Sequence, residues 1–96
     1  MHIISKKMLR QFWVKHPDAE RPLRRWFRTV TAAEWTSLAE LKGTFGHADQ
    51  VGKLIVFNVG GNKARVIAAV HFNRGKLFIR QVLSHADYDR GDWKEV

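Results

Sequence analysis

The sequence predicts a small α+β domain in which N-terminal helices pack on one face of an antiparallel sheet. Three observations carry that expectation. Apolar residues recur at helical spacing through the N-terminal half. Three runs rich in β-branched and aromatic residues follow, each bounded by Gly or Asn turns. No repeat, low-complexity tract or linker divides the two halves, so residues 1–96 are expected to share one core as a single domain.

In chain order, His2-Ile3-Ile4 reads as a short opening strand, and Ser5 as the N-cap of a helix reaching Lys15. Met8, Leu9, Phe12 and Trp13 would form its buried stripe. Pro17 and Asp18 separate it from a second helix, where Leu23, Trp26, Phe27 and Val30 repeat the pattern. Thr31-Ala-Ala-Glu34 has the capping-box spacing and is expected to open a third, shorter helix. Trp35, Leu38 and Leu41 would be that helix's apolar side and Gly43 its stop. Residues 44–52 read as a loop into the sheet.

The three strands are expected over 53–59, 64–72 and 77–83, joined by Gly60-Gly61-Asn62 and Asn73-Arg74-Gly75, with a polar tail after Leu83. Pairing them as a meander sets Asn58 opposite Arg65, and Arg65 opposite Ser84. Alternation then sorts the side chains into two faces. One carries Ile55, Phe57, Val66, Ala68, Leu77, Ile79 and Leu83, with Gln81 as its only intruder. The other carries Val56, Asn58, Arg65, Ile67, Arg80, Val82 and Ser84, and His85 and Tyr88 follow directly. The first is a core face. Polar residues on the second are more often those of a half-solvated sheet than of a binding surface, and the assignment depends on register.

Composition narrows the classes. The chain has no cysteine, which excludes disulfides and thiolate metal sites and suits a reducing cytoplasm. No apolar run approaches the roughly 20 residues of a membrane span, and the N-terminus lacks a signal-peptide pattern. Seventeen Lys and Arg against nine Asp and Glu leave a net charge of +8. Residues 1–30 hold eight of the basic residues and two of the acidic ones, concentrating charge in Lys6, Lys7, Arg10, Lys15, Arg21, Arg24, Arg25 and Arg28. Such a field favours polyanions, above all nucleic acid or a ribosome, through steering and counterion release. A solvated helix pair is the bland alternative.

Other chemistries find little support. The five histidines lack zinc-ligand spacing. Asp87, Asp89 and Asp92 cluster, but such a stretch is more often a turn or helix cap than a Mg²⁺ site. Gly60-Gly61-Asn62-Lys63 lacks the phosphate-loop spacing, and no Ser sits in a nucleophile elbow. What remains is Asn58, Arg65, His85 and Tyr88 on a basic protein. That set suits metal-independent RNA cleavage, where the substrate's 2′-hydroxyl is the nucleophile. The protein then has to align it, move protons and stabilise a charged phosphorane-like transition state. His moves protons near neutrality, Arg holds phosphate oxygens, and Tyr stacks a base or donates a proton.

Val56-Phe-Asn-Val-Gly-Gly-Asn62, then Arg65-Val-Ile-Ala, then Ile79-Arg-Gln-Val-Leu-Ser-His85-Ala-Asp-Tyr88-Asp89 closely resemble the HigB toxins, as do Met1-His-Ile-Ile-Ser5 and Asp49-Gln-Val-Gly-Lys53. The resemblance covers essentially the whole chain. It implies a RelE-like microbial ribonuclease fold whose concave sheet face receives messenger RNA in the ribosomal A site. It also implies a type II toxin–antitoxin module, cleavage without a metal or other cofactor, and a HigA-like antitoxin bearing a helix-turn-helix domain. Arg65 resembles the strand arginine that RelE-like toxins aim at the scissile phosphate, and His85 to Tyr88 falls where they keep proton-transfer and stacking side chains. Asn58 departs from the pattern, since some relatives carry a lysine there. Lys53 or Lys63 would supply that missing charge, and Arg80 reads as an RNA contact or a sheet residue. A ribosome-dependent mRNA endonuclease is therefore expected, with a non-catalytic basic ribosome- or RNA-binding module as the alternative.

Overall fold

The computed structural model describes residues 1–95. The element order is β1 (His2–Ile4), α1 (Lys7–Lys15), a 3₁₀ turn (Pro17–Ala19), α2 (Glu20–Ala32), α3 (Leu38–Thr44), β2 (Asp49–Val51), β3 (Leu54–Val59), β4 (Ala64–His71), a 3₁₀ turn (Phe72–Arg74), β5 (Lys76–Leu83), α4 (His85–Arg90) and a closing 3₁₀ turn (Asp92–Glu95). The α+β class and the two long N-terminal helices are as expected. The sheet is larger than the expected meander: five strands in the order β1-β5-β4-β3-β2. The stretch expected as a loop supplies β2, antiparallel to β3, and the opening strand runs parallel to β5. The opening strand is the one expected at His2–Ile4, whereas β2 is only three residues long, too short for alternation to reveal it.

One sheet face carries the core. Leu9 of α1, Leu23, Trp26 and Val30 of α2, and Leu41 of α3 bury against Ile55, Phe57, Val66, Ala68, Leu77 and Ile79. Phe57 sits at the centre, with Trp26 and Phe45 edge-on to it at 5.2 and 5.3 Å between ring centroids. Such edge-to-face pairs each add about 0.5–1.5 kcal/mol to the burial itself. The β3–β4 turn is clamped onto the helices from outside. Gly60 packs against Pro22, and Lys63 reaches Asp18 at 3.4 Å.

Three local expectations are corrected. Ser5 does not cap α1; it sits in the left-handed region (φ 71°), and its carbonyl accepts from the Met8 amide. Thr31 closes α2 instead of opening α3, its hydroxyl donating back to the Phe27 and Arg28 carbonyls. The working cap is Ser37, whose Oγ accepts from the Glu40 amide while the Glu40 carboxylate accepts from the Thr36 amide and hydroxyl. Both segments offer a hydroxyl followed three residues later by Glu, so spacing alone does not separate them. Gly43 lies inside the last turn of α3, and Phe45 is the residue that caps it.

The β4–β5 register is the main difference. His71 pairs with Lys76 and Ala68 with Ile79, but Ile67 pairs with Gln81. The ladder thus skips Arg80, a β-bulge that reverses which face each later residue occupies. Val82 turns into the core, while Gln81 and Leu83 move to the open face. Arg65 consequently faces Leu83, and Ser84 is free to cap α4, its Oγ accepting from the Asp87 amide. The bulge removes the polar intruder that a regular pairing left in the core.

Candidate active site

The open face of the sheet is where the polar residues meet. In the β3–β4 hairpin Asn58 lies directly opposite Arg65, as the expected pairing required. Arg65 Nη1 donates to Asn58 Oδ1 at 2.7 Å and to the Gly61 carbonyl at 3.2 Å, while Nη2 donates to Asn62 Oδ1 at 3.3 Å. Gly60 and Gly61 both take positive φ (65° and 69°), and that curl brings the Gly61 carbonyl back to the arginine two residues into β4. The guanidinium is thus held in its own hairpin before any other element contributes.

The fourth contact comes from α4. His85, Tyr88 and Asp89 recur at i, i+3 and i+4, so one face of that short helix presents all three to the hairpin. Arg65 Nη2 lies 3.2 Å from His85 Nδ1. A guanidinium only donates, so this contact assigns Nδ1 as the acceptor and places the ring proton on Nε2, which faces Asp89 Oδ2 at 3.2 Å. The Arg65 guanidinium carbon also lies 5.5 Å from the centroid of the Tyr88 ring. Arg65 therefore joins Asn58, His85 and Tyr88, which no two elements alone bring together.

A second, smaller apolar cluster fixes α4 in place. Trp93, 4% exposed, packs with Val56 and Ile67 of the open face, with Leu83 and Tyr88 against them. Its ring stacks on Tyr88 at 5.1 Å and 16°, and its Nε1 donates to the Tyr88 carbonyl at 3.1 Å. Asp87 and Asp92 both reach Arg90, at 2.8 and 3.6 Å, and Asp89 is engaged by His85. Among the described residues no three His, Asp or Glu side chains are disposed to hold a metal ion.

Asn58, Arg65 and Tyr88 line an open cleft of about 370 Å³ whose opposite wall is Gly46, His47 and Asp49. Sequence reasoning passed over His47 and Asp49, which belong to the stretch read as a loop. It also passed over Asn62, read as a turn residue, and Trp93, whose role appears only once α4 is folded back. The other expected contacts stand apart: Lys63 points to Asp18 on the helix side, Lys53 sits at the exposed β2–β3 turn, and Arg80 is exposed at the bulge. None of the three lines the cleft.

Residues 19–91 match the family model of the HigB toxins, described as the RelE-like toxic component of a toxin–antitoxin system. The mRNA interferase toxin HigB of Escherichia coli is 36% identical over 92 residues, covering 93% of this chain and 88% of that protein. The mRNA interferase HigB of Shigella flexneri aligns with the same identity and coverage. A HigB from a second Escherichia coli strain is 31% identical over 93 residues, covering 94% and 90%. With the helix-on-sheet fold and the Arg65 constellation in place, these matches establish that the chain belongs to the HigB toxin family.

Proposed function

We propose that this protein is the toxin of a type II toxin–antitoxin pair and acts as a ribosome-dependent, metal-independent mRNA endonuclease in the cytoplasm, inhibiting translation until a HigA-like helix-turn-helix antitoxin binds it. The observation that carries this reading is the guanidinium of Arg65, held among Asn58, His85 and Tyr88 at the wall of an open polar cleft. The mRNA interferase names of its relatives, the +8 charge and the lack of a helix able to cross a membrane among the described residues agree with it.

The chemistry follows from the donor arrangement. Both Arg65 Nη atoms are already in use, so a phosphate bound here exchanges some of those contacts for its own oxygens. When Nη2 turns to the phosphate, His85 Nδ1 is released with its lone pair free. That atom takes the proton of the 2′-hydroxyl as the O2′–P bond forms. Asp89 on Nε2 orients the ring and steadies the imidazolium produced. Arg65 stabilises the added charge on phosphorus, and the P–O5′ bond breaks to give a cyclic phosphate end and a 5′-hydroxyl end. Trp93 on the Tyr88 ring and Arg65 over it favour proton donation to O5′ by the Tyr88 hydroxyl over base stacking. Asn58 orients Arg65 and, through it, the substrate. Lys53 and Arg80, exposed outside the cleft, are assigned to RNA binding, and Lys63 joins them only by leaving Asp18.

Expression of wild type, Arg65→Ala and His85→Ala in a bacterial host, with primer extension on a translated message, tests the assignment. Wild type should arrest growth and cut the message, and both variants should be inert. A wild type that does neither ends the enzyme reading in favour of a non-catalytic ribosome-binding module. Variants that cut as wild type does reject the site.

A further inference from the structure

A groove of about 540 Å³ runs between α1 and α2 and shares no lining residue with the polar cleft. Its floor is apolar: Leu9 and Trp13 from α1 and Phe27 from α2. Its rim is entirely cationic, with Lys6, Lys7 and Arg10 along one bank and Arg24 and Arg28 along the other. No carboxylate lines it, and Glu20 beside it in α2 is taken by Arg24 at 2.8 Å. Beyond the groove, Val14 on the flank of Lys7 and Arg10 is 70% exposed, and it is the large hydrophobic residue left most open among the described residues.

We infer that this groove is the docking site for an acidic amphipathic helix of the antitoxin, a partner whose existence rests on the toxin reading above. Two features decide between a protein helix and RNA. A phosphate backbone needs cations but gains nothing from an apolar floor, whereas a helix with apolar residues at i, i+3 and i+4 fills that floor and sets carboxylates toward both banks. The aromatic surface is also unsuited to bases: the Arg24 guanidinium lies over the Trp13 ring at 4.8 Å, tethered there by Glu20. Cations on both banks with no free acid between them complement a helix with Asp or Glu flanking its apolar stripe.

The experiment uses the full chain and two probes: the protein encoded by the gene adjoining this one, and 70S ribosomes. The groove variant is Arg10→Glu with Arg28→Glu. The control is Arg21→Glu with Arg25→Glu, the same charge change at exposed α2 positions outside the groove. Titration calorimetry should show the groove variant weakened for the antitoxin by about tenfold or more. The control, and ribosome sedimentation by both variants, should stay within about a factor of three of wild type. A thermal melt matching wild type shows that the variants fold, and Trp13→Ala, which deepens the floor without altering charge, should weaken antitoxin binding independently. The inference is overturned if the groove variant binds antitoxin as wild type does, if the control loses as much, or if ribosome binding is what falls. A wild type that binds no product of the adjoining gene overturns it too. A wild type that binds through the groove but cuts no message leaves it standing while the endonuclease reading fails.

Discussion

Arg65 and His85, twenty positions apart, meet at 3.2 Å with the guanidinium donating to Nδ1. The contact joins a hairpin arginine to the first residue of α4, and the hydrogen-bond pattern assigns the histidine the Nε2–H tautomer. In the proposed mechanism these two groups act on the same phosphate, and the contact sets them in register before substrate arrives.

Replacing Arg65 separates charge from geometry. Arg65→Ala should lower single-turnover cleavage on ribosomes by about 10²–10³-fold, the range for losing a principal transition-state donor. Arg65→Lys should restore only a small part of that. An ammonium keeps the charge but cannot reach Asn58, Gly61, Asn62 and His85 at once as a planar fork does. Recovery of wild-type rates by lysine would refute a geometric role.

In the proposed mechanism Asp89 acts through His85. Asp89→Asn removes the charge behind Nε2 and should lower kcat by about tenfold or more while leaving KM close to wild type, the pattern of an interaction that strengthens in the transition state. Long-range ¹⁵N–¹H spectra of the imidazole check the cause. Wild type should show an unprotonated Nδ1, and Arg65→Ala should relax that preference by removing the donor that enforces it.

Much of this was legible in the sequence, and the parts that were not have a common reason. The Asn58–Arg65 pair followed from turn residues and alternation, which are local. The Arg65–Leu83 pairing did not, because a bulge at Arg80 carries no compositional mark beyond a polar residue where the core should be, and Gln81 was that mark. The short edge strand β2, the parallel pairing of the expected opening strand with β5 and the fold-back of α4 onto Val56 and Ile67 are tertiary outcomes. His47 and Asp49 join the cleft only through them.

Trp93 should matter to stability and activity together. Trp93→Ala empties a buried site and should cost about 3–5 kcal/mol in chemical denaturation, near the range for large aromatic truncations. Trp93→Phe retains a ring against Tyr88 and loses the Nε1 bond to its carbonyl, so about 0.5–1.5 kcal/mol is expected. In both variants cleavage should fall in parallel with the protection of α4 amides from hydrogen exchange, since that helix holds His85 and Tyr88 at the hairpin.

Gly60 and Gly61 should respond differently to a methyl group. Both have positive φ, so alanine at either is strained by about 1–2 kcal/mol. A Cβ at Gly61 meets nothing within 4 Å, whereas one at Gly60 would lie 2.9 Å from Pro22 Cβ and Cγ. Gly60→Ala should therefore be the more destabilising of the two in denaturant melts, and Pro22→Ala should recover part of the difference. Equal losses would mean that the hairpin does not bear on α2.

The Thr36–Glu40 cap should make α3 sensitive to acid. The Thr36 hydroxyl and amide, each 2.6 Å from Glu40 Oε1, hold the carboxyl below its ordinary value, the hydroxyl having the larger effect. A carboxyl whose folded pKa lies below its unfolded one stabilises the fold above the ordinary glutamate range, and that contribution disappears as pH falls through the lowered value. Full exposure leaves the effect open to screening, so it should shrink in high salt. Thermal melts from neutral to acid pH should then show wild type losing more stability than Glu40→Gln across the carboxylate range. Thr36→Val should move the Glu40 titration, followed by carboxyl ¹³C shift, back up toward the usual value. An unchanged titration in Thr36→Val would assign the depression to the backbone amide instead of the threonine hydroxyl.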